Sequence, residues 1–113
     1  MELNNNTGVV LTTDTLAFTN ERKQPCIFNI ILANITGNSS TVDIKIFNKK
    51  LNTTPDGNEL LLYLGKGLPV QANNTLKIGT GDDSYYLTEG DKIYISCPSA
   101  NTLHFHVNVK TNL

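Results

Sequence analysis

The sequence predicts an all-β domain, an antiparallel two-sheet β-sandwich or jelly roll of about eight short strands. Three observations carry this expectation. No stretch sustains helical periodicity, β-branched and aromatic residues recur in short runs, and those runs are separated by polar breaks rich in Gly, Asn, Asp and Pro. A length of 113 residues suits one hydrophobic core. A single domain is therefore expected over 1–113, with residues 1–8 free to serve as a flexible or partner-contacting arm.

The first strands are expected around residues 9–13 and 15–19. Residues 26–35 follow, running Cys26, Ile27, Phe28, Asn29, Ile30, Ile31, Leu32, Ala33, Asn34, Ile35, apolar at nearly every position. Such a run fits a central strand covered on both faces. The turn residues Gly37, Asn38, Ser39 and Ser40 lead into 41–48, where Val42, Ile44 and Ile46 share one face and Asp43 and Lys45 the other. The short polar connection predicts that these two strands pair as an antiparallel hairpin. A polar linker over 48–58, reversing at Pro55, Asp56 and Gly57, leads to a strand at 59–64, and Gly65, Lys66 and Gly67 read as its end or a hairpin connection.

In the second half, Leu76 and Ile78 share a side, Tyr85, Tyr86 and Leu87 precede the break Glu89, Gly90, Asp91, and Ile93 and Ile95 share a face in 92–96. Leu103, Phe105, Val107 and Val109 make the last apolar face. His104, His106, Asn108 and Lys110 lie opposite them.

Composition narrows the function. Nine Lys and Arg against ten Asp and Glu give a net charge of −1, without the positive field that nucleic-acid binding requires. The N-terminal residues lack the basic and apolar segments of a signal peptide. The longest apolar tract, Ile30 to Ala33, is far short of the roughly 20 residues that span a bilayer. Neither nucleic acid nor a membrane is therefore expected as a partner. Cys26 and Cys97 sit in apolar, strand-like segments and are expected to be buried, reduced thiols.

No constellation for catalysis or cofactor binding emerges. His104 and His106, two apart in a strand, point the same way, but no neighbouring ligand motif completes a metal site, so they are read as a solvent-facing or interface pair. Asp82 and Asp83 after Gly79, Thr80 and Gly81 lack EF-hand spacing and read as a turn. Ser96, Cys97, Pro98 and Ser99 show no nucleophile elbow, and Cys97 reads as a core plug before Pro98 ends the strand. The Asn-x-Ser/Thr tripeptides that begin at Asn5, Asn34, Asn38 and Asn52, and the one that contains Asn74 (Asn73-Asn74-Thr75), read as sources of turn-holding hydrogen bonds. Tyr63, Tyr85 and Tyr86 can each offer an aromatic contact and a hydroxyl, and in an extended chain Tyr85 and Tyr86 face opposite sides. The candidate partner-contacting residues are Tyr85, Tyr86, His104 and His106.

The segments 28–37, 41–46, 68–76 and 87–95 resemble those of small β-sandwich structural proteins of tailed-phage virions, including accessory, capsid-decoration, neck and tail-associated proteins. Leu87, Gly90, Asp91 and Ile93 match a Leu-x-x-Gly-Asp-x-Ile turn. The connection after Pro69, Val70-Gln71-Ala72-Asn73, departs from the Pro-Ala-Gly-Ser form of that family. The resemblance spans roughly residues 26–109 and is closer for fold than for virion location. It implies a non-enzymatic virion protein, assembled in the host cytoplasm, that self-associates, often as a trimer, and docks to capsid, neck or tail proteins without a cofactor. A carbohydrate-binding β-sandwich module is the alternative, and it would need Tyr85 or Tyr86 exposed beside Asn and Asp groups.

Overall fold

The computed structural model describes residues 2–51, 60–79, 85–99 and 101–111. Within them lie nine strands: β1 (Glu2–Val9), β2 (Thr15–Thr19), β3 (Cys26–Asn34), β4 (Ser40–Phe47), β5 (Leu61–Val70), β6 (Thr75–Ile78), β7 (Tyr85–Leu87), β8 (Lys92–Ser96) and β9 (Leu103–Thr111). A single 3-10 turn, Lys49–Leu51, follows β4. The first sheet runs β1-β9-β3-β6, with β7 also on β3, and the second runs β2-β8-β4-β5. All pairings are antiparallel.

The pairing is nested. The first strand pairs with the last, β2 with β8, β3 with β6 and β7, and β4 with β5. Since β6 takes Ile30 to Ala33 and β7 takes Cys26 to Phe28, they act as one strand interrupted after Ile78. An antiparallel ribbon with this nesting, rolled so that β9 also meets β3 and β8 also meets β4, is a jelly roll.

Alternation builds the core. Phe28, Ile30 and Leu32 from β3, Val42 and Ile44 from β4, Ile93 and Ile95 from β8, and Leu103, Phe105, Val107 and Val109 from β9 are all buried. Burial of each large side chain contributes about 1.5–3 kcal/mol of transfer free energy, set against the entropy of ordering. Cys26 and Cys97 are free thiols inside this core. Cys97 follows the last residue of β8, as a plug ahead of Pro98, and its thiol donates to the Ser99 carbonyl at 3.0 Å.

Several expectations from the sequence need correction. Strand β1 begins at Glu2 rather than near Val9, and its full length pairs with β9, so residues 2–8 belong to the sheet. Strands β3 and β4 do not pair with each other; they lie in opposite sheets. The physical cause is a corner at Asn34, whose buried amide donates to the carbonyls of Asn38 (2.8 Å) and Val70 (3.1 Å) while its oxygen accepts from the Thr36 N–H and hydroxyl. This clamp bends the chain across the sandwich instead of back along the same sheet. Strand β3 is fully buried on one face only: on the other face Ile27, Ile31 and Ala33 are half-buried, Ile27 between strands β9 and β7, and Ile31 and Ala33 between β9 and β6. Finally, Gly65, Lys66 and Gly67 lie within β5, which continues to Val70 by slipping register twice against β4. The turn at Pro55, Asp56 and Gly57 and the tripeptide at Asn52 lie outside the described residues.

The Leu-x-x-Gly-Asp-x-Ile turn has a clear construction. Gly90 adopts φ +88°, a left-handed conformation that glycine takes without steric cost. Asp91, buried, accepts from the Thr88 N–H and hydroxyl and from the Lys49 N–H at 2.8–3.0 Å. Asn20 ties the turn to the end of β2 by donating from its side chain to the Leu87 carbonyl. The divergent connection after Val70 is a turn in which Asn73 takes φ +56°, a region that asparagine tolerates better than most residues.

Candidate interaction surfaces

The outer face of the first sheet is organised in cross-strand rows. His104 of β9 sits between Val9 of β1 and Ala33 of β3, and His106 sits between Thr7 and Ile31. Asn108 sits between Asn5 and Asn29, and its amide donates to the Asn29 side-chain oxygen at 3.1 Å. His104 is half-buried and His106 exposed, both on the side opposite the core. Their neighbours are Val9, Thr7, Ile31 and Ala33, none of them metal ligands. Among the described residues no three His, Cys, Asp or Glu side chains converge to hold a metal ion.

Tyr86 of β7 pairs with Ile27 and is 69% exposed, the most exposed large apolar side chain among those described. Tyr85 pairs with Phe28, and its side chain lies outside the described part of the structure. The Asp82–Asp83 turn also lies outside it. The two tyrosines therefore flank the same edge as β6, at the opposite side of the sheet from β1. The histidines sit two strands away on β9.

A surface that the sequence does not reveal lies on the second sheet. Tyr63 on β5 is half-exposed, and the Lys45 and Lys66 ammonium groups each lie 5.2 Å from its ring centroid. Lys45 also pairs with Asp14 at 3.1 Å. The hydrogen bond to Asp14 holds the Lys45 ammonium above its ordinary pKa. Sequence reading flagged Tyr63 alone; the cluster depends on the register that places Tyr63 opposite Lys45. No local signal predicts that register, because β5 slips twice along β4.

Of the two buried cysteines, Cys26 differs from a reactive thiol. Burial pushes the Cys26 thiol above its usual pKa, partly offset by a hydrogen bond with the Leu87 backbone and reinforced by the Asp91 charge. A raised thiol pKa means little thiolate at neutral pH and weak nucleophilicity.

The geometry thus defines a jelly-roll domain whose outer faces mix polar and apolar side chains, with no strand among the described residues on its sheet edges and no group of three metal-ligating side chains among them. No family model matches the chain, and no curated protein matches it. Among solved structures, it is similar to a chain from the Bacillus endospore appendages, described as a novel family of disulfide-linked pili. The likeness covers 99% of this chain and 86% of that one, with a TM-score of 0.54 and 14% sequence identity, and at that identity it shows the fold. No helix among the described residues is long and apolar enough to cross a membrane.

Proposed function

We propose that this chain is a non-enzymatic structural protein that self-associates and forms part of an extracellular assembly, as a virion component docked to a capsid, neck or tail, or as a subunit of a surface appendage. The single observation that carries the reading is the nearly full-length correspondence of its jelly roll to that of a pilus-forming protein. Supporting it are the neutral, Asn-rich outer face around Asn5, Asn29 and Asn108, which can be covered without desolvating full charges, and sheet edges that no strand among the described residues covers. The pili of the similar protein are disulfide-linked, whereas both cysteines of this chain are buried. Its association is therefore non-covalent. Many weak copies held close to their sites would together give stable attachment.

Sedimentation velocity across a concentration series, with electron microscopy of the concentrated sample, tests this reading. Growth into discrete oligomers or filaments, unaffected by reductant, is expected. A chain that stays monomeric throughout and is retained by no particle or appendage component contradicts it.

A carbohydrate-binding module is the second reading, favoured by the exposure of Tyr86. Its row partner, however, is Ile27 rather than an Asn or Asp group. Binding to a glycan panel that is lost in Tyr86→Ala would support it, and an empty panel would remove it.

A further inference from the structure

The structure assigns the self-association surface to the free edge of β1: we propose that two copies pair their β1 strands antiparallel about a two-fold axis, joining their first sheets into one. This rests on the self-association reading above and names where it occurs.

The argument begins with the open edges. Two sheets leave four, and exposed edges normally carry features that discourage pairing with another chain, such as bulges, prolines, lysines, short length or interruption. Strand β2 has a register shift between Leu16 and Phe18. Strand β5 has two register shifts, the exposed Lys66, Gly67 at φ +63° and Pro69. The β6–β7 edge is broken into pieces of four and three residues, with the exposed Lys77 in the first. Strand β1 has none of these. It pairs with β9 over all eight residues without a register shift, and it contains no proline or lysine.

The direction of its free backbone groups follows from the ladder. The Val10 N–H donates to the Leu103 carbonyl at 2.9 Å, in the same register that pairs β1 with β9. Antiparallel hydrogen bonding alternates along a strand, so the even residues of β1 bond β9. The N–H and C=O of Leu3, Asn5, Thr7 and Val9 then point to the open edge. Among the described residues no strand pairs with that edge.

The occupant follows by elimination. A second copy carries the same four edges, three of them blunted, so the edge that can meet β1 is its own β1. Directly opposed residues of an antiparallel pair must face the same side of the sheet, which restricts the register to pairs of equal parity. Placing Asn6 of each copy on the axis opposes Asn5 to Thr7 and Leu3 to Val9, and engages all four outward-pointing residues of each strand. Glu2, the one charged residue of β1, then falls outside the paired stretch, so no like charges meet. The groove beside this edge, lined by Asn5, Asn6, Leu16, Phe18, Thr19 and Glu21, leaves space along it. Asn6 already donates to the Ala17 carbonyl across that groove, satisfying the residue that the β2 register shift leaves out of its ladder.

Asn5→Pro is the discriminating variant. It removes an N–H that points outward and leaves the β9 ladder intact, the setting in which proline is tolerated on an edge strand. The expected result is a melting temperature close to wild type and a dimer dissociation constant raised at least ten-fold. Amide hydrogen exchange of the wild type is the second measurement and needs no variant. Asn5, Thr7 and Val9 should gain protection with concentration, while Asn6 and Gly8 are protected in dilute monomer as well. If the wild type associates but Asn5→Pro associates equally and the odd-numbered amides stay unprotected, the proposal is overturned and the self-association reading stands. A wild type that is monomeric at every concentration overturns both. Protection of those amides only when another particle component is added would place a different chain on this edge, which also overturns the two-copy proposal.

Discussion

Replacing Asn34 with alanine should destabilise the fold more than any other polar substitution at the turns. Asn34 is 3% exposed, and its side chain makes four hydrogen bonds: to the carbonyls of Asn38 and Val70, and from the Thr36 N–H and hydroxyl. A typical intramolecular hydrogen bond contributes about 1 kcal/mol net, and a buried partner left without one costs about 1–3 kcal/mol. Val70 is buried, whereas Thr36 and Asn38 are nearer solvent, so water can replace some of the bonds. The expected loss is about 2–4 kcal/mol. For a domain of this size that lowers the melting temperature by roughly 10–15 °C. Circular dichroism melts of Asn34→Ala against Asn38→Ala provide the assay. Asn38 contributes its backbone carbonyl rather than its side chain to this corner, so its substitution should change stability by less than about 0.5 kcal/mol. Equal melts for the two variants would refute the claim that the Asn34 side chain holds the crossing between sheets.

The packing of β1 on β9 makes a second prediction: a Cβ on Gly8 would come within 2.7 Å of the Phe105 ring, so Gly8→Ala should cost about 1–3 kcal/mol by overpacking, and much less in a Phe105→Leu background. Phe105→Ala should itself cost about 3–5 kcal/mol in urea unfolding. The raised Cys26 pKa carries a pH signature, since the folded state holds the proton more tightly than the unfolded chain; stability is unaffected below the unfolded thiol pKa of about 8.5 and falls as pH rises from there toward the folded value. Cys26→Ala should flatten that alkaline decline in pH-dependent melts. Both thiols should resist a thiol reagent in the native protein and react fully in denaturant. The Asp14–Lys45 pair is superficial, so Asp14→Asn should cost no more than about 1 kcal/mol, with the difference disappearing in 1 M salt. Its contribution is present below the unfolded lysine pKa and is lost as pH rises through the raised folded value.

Where a strand has one wet face, its pattern could be read directly. The last strand shows this best: Leu103, Phe105, Val107 and Val109 are buried, and the histidines face outward. Asp91 and Gly90 likewise announce a turn whose hydrogen bonds the structure contains. Strand β1 was illegible for the opposite reason. Its run of asparagines has low strand propensity, and its place in the sheet comes from pairing with residues about a hundred positions away. The β3–β4 connection misled because a short polar link is compatible with a hairpin or with an arch between sheets, and what decides is the long-range bond from Asn34 to Val70. The double-sided apolarity of β3 suggested a covered outer face, but Ile27 and Ile31 are sheltered sideways by neighbouring strands. As for the candidate surface, single residues and their faces within one strand, such as His104 with His106, could be picked out, but which residues of different strands lie side by side could not. His106 beside Ile31, and Tyr63 between two lysines, are consequences of register.

Backbone nuclear Overhauser contacts between strands test the nested topology, on which the open edges and both outer faces depend. Cross-strand contacts should join Asn29 to Asn108 and Asn5 to Asn108, with none linking residues 26–34 to residues 40–47 as a ladder. A continuous set of contacts between those two segments would mean that they form a hairpin, and the rolled arrangement described here would be wrong.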